Sequence, residues 1–139
     1  MARPSVERRR RRQRGSNLVE SALVFLGFMF LVFGSVEFGR MVYAFNTVCE
    51  AAREGARWAS VRGSSSSSPA TNTTVTNYVK QWAVGLDTSQ LTVNTSWSPN
   101  NNPGGSVQVS VTYSWAAVVG VIVPRTMSFT SQSNMTVLQ

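Results

Sequence analysis

The sequence predicts an α+β fold, in which a long N-terminal helix precedes a small domain with one helix and an antiparallel sheet of three or four strands. Three observations support this fold class. Residues 18–36 form an apolar run, and residues 37–62 continue it with helical periodicity and no proline. After residue 90 the apolar pattern changes to a period of two, which is typical of strands.

Residues 1–15 form a basic leader that carries +6 of the formal net charge of +7. We expect this leader to be disordered, because it has no apolar periodicity. A basic block beside an apolar segment is typical of a region that stays in the cytoplasm. Nucleic-acid binding is not expected, since the rest of the chain is nearly neutral and its aromatic residues are not interleaved with basic ones.

The apolar segment at residues 18–36 is long enough to cross a bilayer as a helix. Its twelve Leu, Val and Phe side chains favour insertion by roughly 4–7 kcal/mol. Its one charged residue, Glu20, would oppose insertion by about 3 kcal/mol at the bilayer centre and by less near the helix end. We therefore expect insertion into a membrane, with the N-terminus in the cytoplasm and the C-terminal domain outside.

Residues 37–62 are predicted to be the amphipathic part of the same helix, which would run over residues 16–62. Apolar or small residues recur every three or four positions at Met41, Phe45, Val48, Ala52, Gly55 and Ala59. Charged residues occupy the other side at Glu50, Arg53, Glu54 and Arg57.

After a flexible Ser-rich linker at residues 63–71, we expect a globular domain over residues 72–139. Helical spacing predicts a helix at 74–86, with Asn72 and Thr73 as N-cap candidates. Alternation and turn residues predict strands at 91–97, 107–115 and 127–138, a hairpin turn at 98–105 and an apolar loop at 116–123.

The chain offers little for catalysis. It has no histidine and one cysteine, Cys49. Beyond Gly63 the charged residues are Lys80, Asp87 and Arg125, so no nucleophile–base pair, carboxylate pair or metal cluster can be assembled there. We expect no enzyme activity, no metal, no cofactor and no small-molecule substrate.

The N-terminal motif is a basic leader that ends in Gly15, followed by Ser16 and by Glu20 five residues beyond the glycine. This motif resembles the class III signal of type IV prepilins and pseudopilins. The resemblance implies that a prepilin peptidase cuts between Gly15 and Ser16. It also implies that Glu20 pairs with the new N-terminal amine of Ser16 on a neighbouring subunit. The alternative is an uncleaved signal anchor in which Glu20 is a tolerated polar residue.

A second motif narrows the family. The step Glu37-Phe38-Gly39-Arg40 is followed by an alanine-rich helix that contains Ala52, Arg53, Glu54, Gly55 and Arg57. These residues are similar to the signature of TadE-like minor pilins of the tight-adherence (Flp-type) pilus, although a generic amphipathic helix would also use these good helix formers.

That resemblance implies a structural minor pilin or pseudopilin that takes part in pilus assembly and surface adhesion. Its partners would be the prepilin peptidase, other pilin subunits, the inner-membrane assembly platform and, before assembly, membrane lipid. Before assembly the chain would lie in the bacterial inner membrane, and it would then move to the pilus and the cell surface. The alternative function is an uncleaved, single-pass anchored binding or scaffold protein of a secretion apparatus.

Overall fold

The structure is a computed structural model that describes the backbone of residues 5–118 and 126–139 and the side chains of residues 17–118 and 126–139. Its elements are α1 (Ser5–Ser60), α2 (Asn72–Trp82), a short 3₁₀ helix (Thr88–Gln90), β1 (Leu91–Ser98), β2 (Ser106–Ala116) and β3 (Thr126–Thr136). The predicted α+β class is confirmed, with three strands in the sheet. The chain divides into two compact units, Met1–Phe38 and Gly39–Gln139.

The first unit contains the N-terminal part of α1. The structure differs here from the predicted disordered leader, because α1 begins at Ser5 rather than near residue 16. No proline or glycine interrupts residues 5–14, and Arg, Glu and Gln are good helix formers. From Asn17 onward the helix is long and apolar enough to cross a membrane.

In the second unit, the remainder of α1 supplies part of the core. Its buried residues are Ala44, Val48, Ala51, Ala52, Gly55, Ala56, Ala59 and Ser60. Val48, Ala52, Gly55 and Ala59, which were predicted to face inward, are therefore confirmed as buried. Phe45, also predicted to face inward, is 46% exposed and contacts the ring of Phe129 edge-on at 6.1 Å. Small side chains dominate the buried surface, and this lets the backbone of α1 approach its neighbours closely.

The helix α2 begins one residue earlier than the predicted caps allow. Thr71 is the N-cap: its Oγ1 accepts from the Thr74 N–H at 3.3 Å, and its own N–H donates to Thr74 Oγ1 at 2.9 Å. The assignment of Asn72 and Thr73 as caps was wrong. The Asn72 side chain instead accepts from the backbone N–H of Thr95 in β1 at 3.0 Å, which ties the start of α2 to the sheet.

Replacing Thr71 with alanine should lower the free energy of unfolding by about 1 kcal/mol, because the Thr74 N–H in the first turn of α2 loses the side-chain oxygen that accepts from it. Chemical denaturation of the full chain followed by circular dichroism measures this loss. Thr73→Ala is the matched control, since Thr73 is exposed within the helix. Equal stability of the two variants would contradict the assigned cap.

The sheet has the antiparallel order β1-β2-β3, which confirms the predicted hairpin and third strand. The register runs from Leu91↔Tyr113 to Ser98↔Ser106 for β1 and β2, and from Ser106↔Thr136 to Ala116↔Thr126 for β2 and β3. The core-facing residues of β2 are all buried: Val107, Val109, Val111, Tyr113 and Trp115. Most of the predicted apolar loop at 116–123, together with Pro124, lies outside the described residues.

The segment predicted to be a flexible linker is a packed loop in the structure. The Ser64 N–H donates to Asn101 O at 2.7 Å, and the Ala70 N–H donates to Arg62 O at 2.7 Å. Gly63 lies so close to the backbone of Gln139 that a Cβ there would overlap its carbonyl oxygen. Serine-rich composition predicted flexibility, but neighbouring loops supply hydrogen-bond partners to this backbone.

Val137 and Leu138 pack beside the same loop, at the C-terminal end of α1. Val137 is buried, and its N–H donates to Gly105 O at 2.8 Å. The N–H of Leu138 donates to Ser60 O at 2.8 Å, at the last residue of α1. Residues far apart in the sequence are thus joined at the C-terminal end of α1.

Candidate functional site

The candidate processing site lies inside α1. The peptide bond between Gly15 and Ser16 belongs to the helix Ser5–Ser60. Ser16 and Glu20 are four residues apart, which places them on the same side of the helix, about one turn from each other. A new N-terminus at Ser16 would therefore start on the side of the helix that carries the carboxylate.

Glu20 is exposed on an otherwise apolar helix surface. The side chains beside it along this surface are Ser21, Val24, Phe25 and Phe28. Residues 17–36 contain no Lys or Arg. A positive partner for Glu20 at this depth must therefore come from the start of the helix or from another molecule.

Large apolar side chains cover residues 18–38 of α1, and they are mostly 40–70% exposed, from 38% at Val32 to 72% at Leu18. The exposed set is Leu18, Val19, Leu23, Val24, Phe25, Leu26, Phe28, Phe30, Leu31, Val32, Phe33, Val36 and Phe38. Burying one such side chain is worth about 1.5–3 kcal/mol. A surface of this size needs lipid or other apolar helices around it.

The first family motif divides into engaged polar residues and exposed ones. Glu37 is 4% exposed and has a polar partner, as does Arg40. A buried carboxylate costs several kcal/mol unless it is paired, so this engagement is needed for the fold. Phe38 is 63% exposed, and the position of a Cβ on Gly39 is open space.

The second motif presents its residues in opposite directions. Ala52 and Gly55 are buried in the core, whereas Arg53 and Arg57 are exposed and Glu54 is half-buried. A Cβ on Gly55 would lie 2.5 Å from Val79 Cγ2 and 3.3 Å from Val109 Cγ1, so α1 touches both α2 and β2 there. Glycine is therefore required by the close approach of three elements.

The charged half of this motif contributes little to stability. Arg53 Nη1 lies 2.8 Å from Glu50 Oε1, and both side chains are more than 60% exposed. Exposed pairs at this spacing are worth about 0.3–0.5 kcal/mol. Arg53 and Arg57 therefore lie at the surface of the domain and not in its core.

An aromatic stack that the sequence did not predict joins α1 to α2. The guanidinium of Arg62 lies 4.2 Å from the ring centre of Trp58, and that ring stacks on Tyr78 at 5.1 Å and 22°. Tyr78 in turn lies 6.4 Å from Trp82. The i,i+4 spacing of Trp58 and Arg62 is the one signal of this stack in the sequence.

The second surface of interest is the outer face of the sheet, which is polar and carries no charge. Its side chains are Thr92, Asn94, Ser96, Gln108, Ser110, Thr112, Ser114, Ser128, Thr130, Gln132 and Asn134. Two pairs bond across strands, Thr112 to Thr130 at 2.9 Å between hydroxyls and Gln108 Nε2 to Gln132 Oε1 at 3.2 Å. This face can offer hydrogen bonds to a partner without an electrostatic preference.

Within residues 17–118 and 126–139, whose side chains the structure describes, no three His, Cys, Asp or Glu side chains come together in a group that could hold a metal ion. Cys49 is a half-buried free thiol. The chemistry available in this part of the chain is therefore that of surfaces and pairing charges.

The comparison with known families agrees with both motifs. Residues 15–57 match the family model described as TadE-like protein. This range runs from the glycine of the leader to the last arginine of the second motif, so it contains both sets of residues. No curated protein and no solved structure matches the chain significantly.

Proposed function

Because the chain is TadE-like over residues 15–57, and thus a pilin-like protein associated with the tight-adherence pilus, we propose that it is a structural minor pilin processed by a prepilin peptidase. The family is structural or accessory rather than enzymatic. The observation that carries the proposal is the exposed apolar helix surface of residues 18–36, which is interrupted by one carboxylate at Glu20. Such a surface suits a helix that leaves lipid for a bundle of like helices.

Processing has a clear physical purpose in this proposal. The leader holds +6 of the net charge, and charge of this kind keeps the helix end at the cytoplasmic side. A cut between Gly15 and Ser16 removes that charge. The nearly neutral remainder can then be drawn out of the bilayer into a filament.

The same cut supplies the missing partner of Glu20. It creates a positively charged amine at Ser16, and we place this amine beside Glu20 of a neighbouring subunit. A carboxylate among apolar helices needs such a partner, because an unpaired buried charge costs several kcal/mol. An isolated precursor has no matching group in residues 17–36.

The second unit faces the outside of the cell in this proposal, since the basic leader determines a cytoplasmic N-terminus. Its partners are other pilin subunits and the inner-membrane assembly platform. The uncharged outer face of the sheet supports a role in subunit contacts or surface adhesion, because it offers hydroxyl and amide groups without fixed charges.

The experiment is to determine the N-terminus of the mature protein by mass spectrometry. We expect a chain that begins at Ser16 in cells with an active prepilin peptidase, because the cut follows Gly15. The same chain should keep its basic leader in cells that lack the peptidase. An intact leader in peptidase-positive cells would refute processing and favour the uncleaved membrane-anchored scaffold protein.

A further inference from the structure

The strand β3 forms one edge of the sheet, and no strand among residues 5–118 and 126–139 pairs with its outer side. It lies last in the order β1-β2-β3 and pairs with β2 over eleven consecutive residue pairs without a bulge. Its sequence, Thr126–Thr136, contains no charged residue, no proline and no glycine. Proteins usually guard a free edge with such residues or with bulges, because an open edge pairs readily with another strand.

The direction of the backbone hydrogen bonds shows which residues of β3 point their N–H and C=O groups away from β2. The Val137 N–H to Gly105 O bond marks a hydrogen-bonded pair, and these pairs alternate along an antiparallel ladder. Met127, Phe129, Ser131, Ser133 and Met135 therefore bond to β2. The residues between them present N–H and C=O groups toward the open edge.

The inner side chains of β3 are also incompletely covered. Met127, Phe129 and Met135 pack against the hydrophobic core but are only half-buried. The equivalent residues of the central strand, such as Val109 and Val111, are fully buried. One further strand beside β3 would cover this apolar surface.

We propose that β3 pairs antiparallel with β3 of a second copy of this chain, with the two-fold axis at Ser131, so that two sheets join into one of six strands. This register overlaps all eleven residues, because Ser131 is the midpoint of Thr126–Thr136. It places the residues with open N–H and C=O groups opposite one another, as Thr130 with Gln132. It sets Met127 against Met135 on the inner side.

The side chains of β3 favour a second copy as the occupant. On the outer face Thr130 and Gln132 already bond to a threonine and a glutamine of β2, and the proposed register continues these rows across the axis. No charge opposes self-pairing. The inference does not depend on the proposed function, since a chain that is never processed presents the same edge.

Disulfide trapping of the full chain in membranes tests this pairing. Ser131→Cys, in a Cys49→Ser background, places two thiols opposite each other in a pair where side chains approach most closely. We expect mild oxidation to give a covalent homodimer at a yield at least about fivefold above that of Gln132→Cys, whose thiols would lie out of register. No dimer, or equal dimer from both variants, would overturn the proposal, and so would a crosslink to a different protein alone.

A charge pair provides a matched second test in the same Ser131→Cys background. Thr130→Lys with Gln132→Lys puts like charges opposite each other across the axis, whereas Thr130→Lys with Gln132→Glu puts opposite charges there. Both variants lose the hydroxyl bond between Thr112 and Thr130, but glutamate at position 132 can still accept from Gln108 Nε2 and lysine cannot, so the thermal stability of each variant is measured beside its crosslinking yield. We expect crosslinking to fall in the first variant and to return in the second, and equal yields would refute the register.

Discussion

Replacing Glu20 with valine should leave membrane insertion intact and remove the chain from filaments. The substitution deletes the one charge of the apolar segment, so it favours insertion. In the filament, the amine of Ser16 on the neighbouring subunit would lose its partner. Removing one member of a buried ion pair costs about 3–5 kcal/mol, which lowers incorporation by roughly two orders of magnitude or more.

The measurement is quantitative immunoblotting of sheared pili and of membranes from the same cells. Ser21→Val is the matched control, because it adds the same side chain at the next position and keeps the carboxylate. We expect this control to appear in both fractions. Normal filament content of Glu20→Val would remove the pairing role, and leader processing could still be correct.

Replacing Gly55 with valine should destabilise the second unit by about 3 kcal/mol, at the upper end of the usual cost of overpacking. A Cβ at this position already meets Val79 Cγ2 at 2.5 Å and Val109 Cγ1 at 3.3 Å, and valine adds two methyl groups. For a unit of this size the melting temperature should fall by about 10–20 °C. The change in Trp fluorescence on unfolding reports the loss, since Trp115 is buried.

Gly39→Val is the control for this experiment. The same substitution is made in the same helix, but no atom lies within 4 Å of a Cβ at Gly39. Valine is a slightly better helix former than glycine, so stability should stay within about 0.5 kcal/mol of the parent chain. Equal destabilisation by both variants would show that the contact of α1 with α2 and β2 is not the cause.

The long periodic elements of this fold were predictable, since α1 and the three strands each carry a pattern that local neighbours reinforce. The start of α2 was not, because the choice among Thr71, Asn72 and Thr73 depends on Asn72 reaching Thr95, which is 23 residues away. Order in residues 63–71 also depends on distant partners, Asn101 and Gln139.

In the candidate site, too, features set by local sequence were predictable and features set by distant contacts were not. The spacing of Gly15, Ser16 and Glu20 is local, so it could be identified from the motif alone. The stack of Trp58 on Tyr78 joins two helices across a loop, and composition gives no distance between them. The burial of Ala44 in place of Phe45 likewise follows from which neighbours cover α1, and the helical period by itself does not separate these two adjacent positions.

The junction between Leu138 and Ser60 has a consequence for the timing of biosynthesis. The Leu138 N–H, which donates to the Ser60 carbonyl at the end of α1, is available only after Leu138 has been synthesised. At about 5–20 residues per second, ribosomes need several seconds to reach that point after Ser60 has been made. During this interval the apolar N-terminal segment is already exposed, so targeting to the membrane precedes folding of the domain.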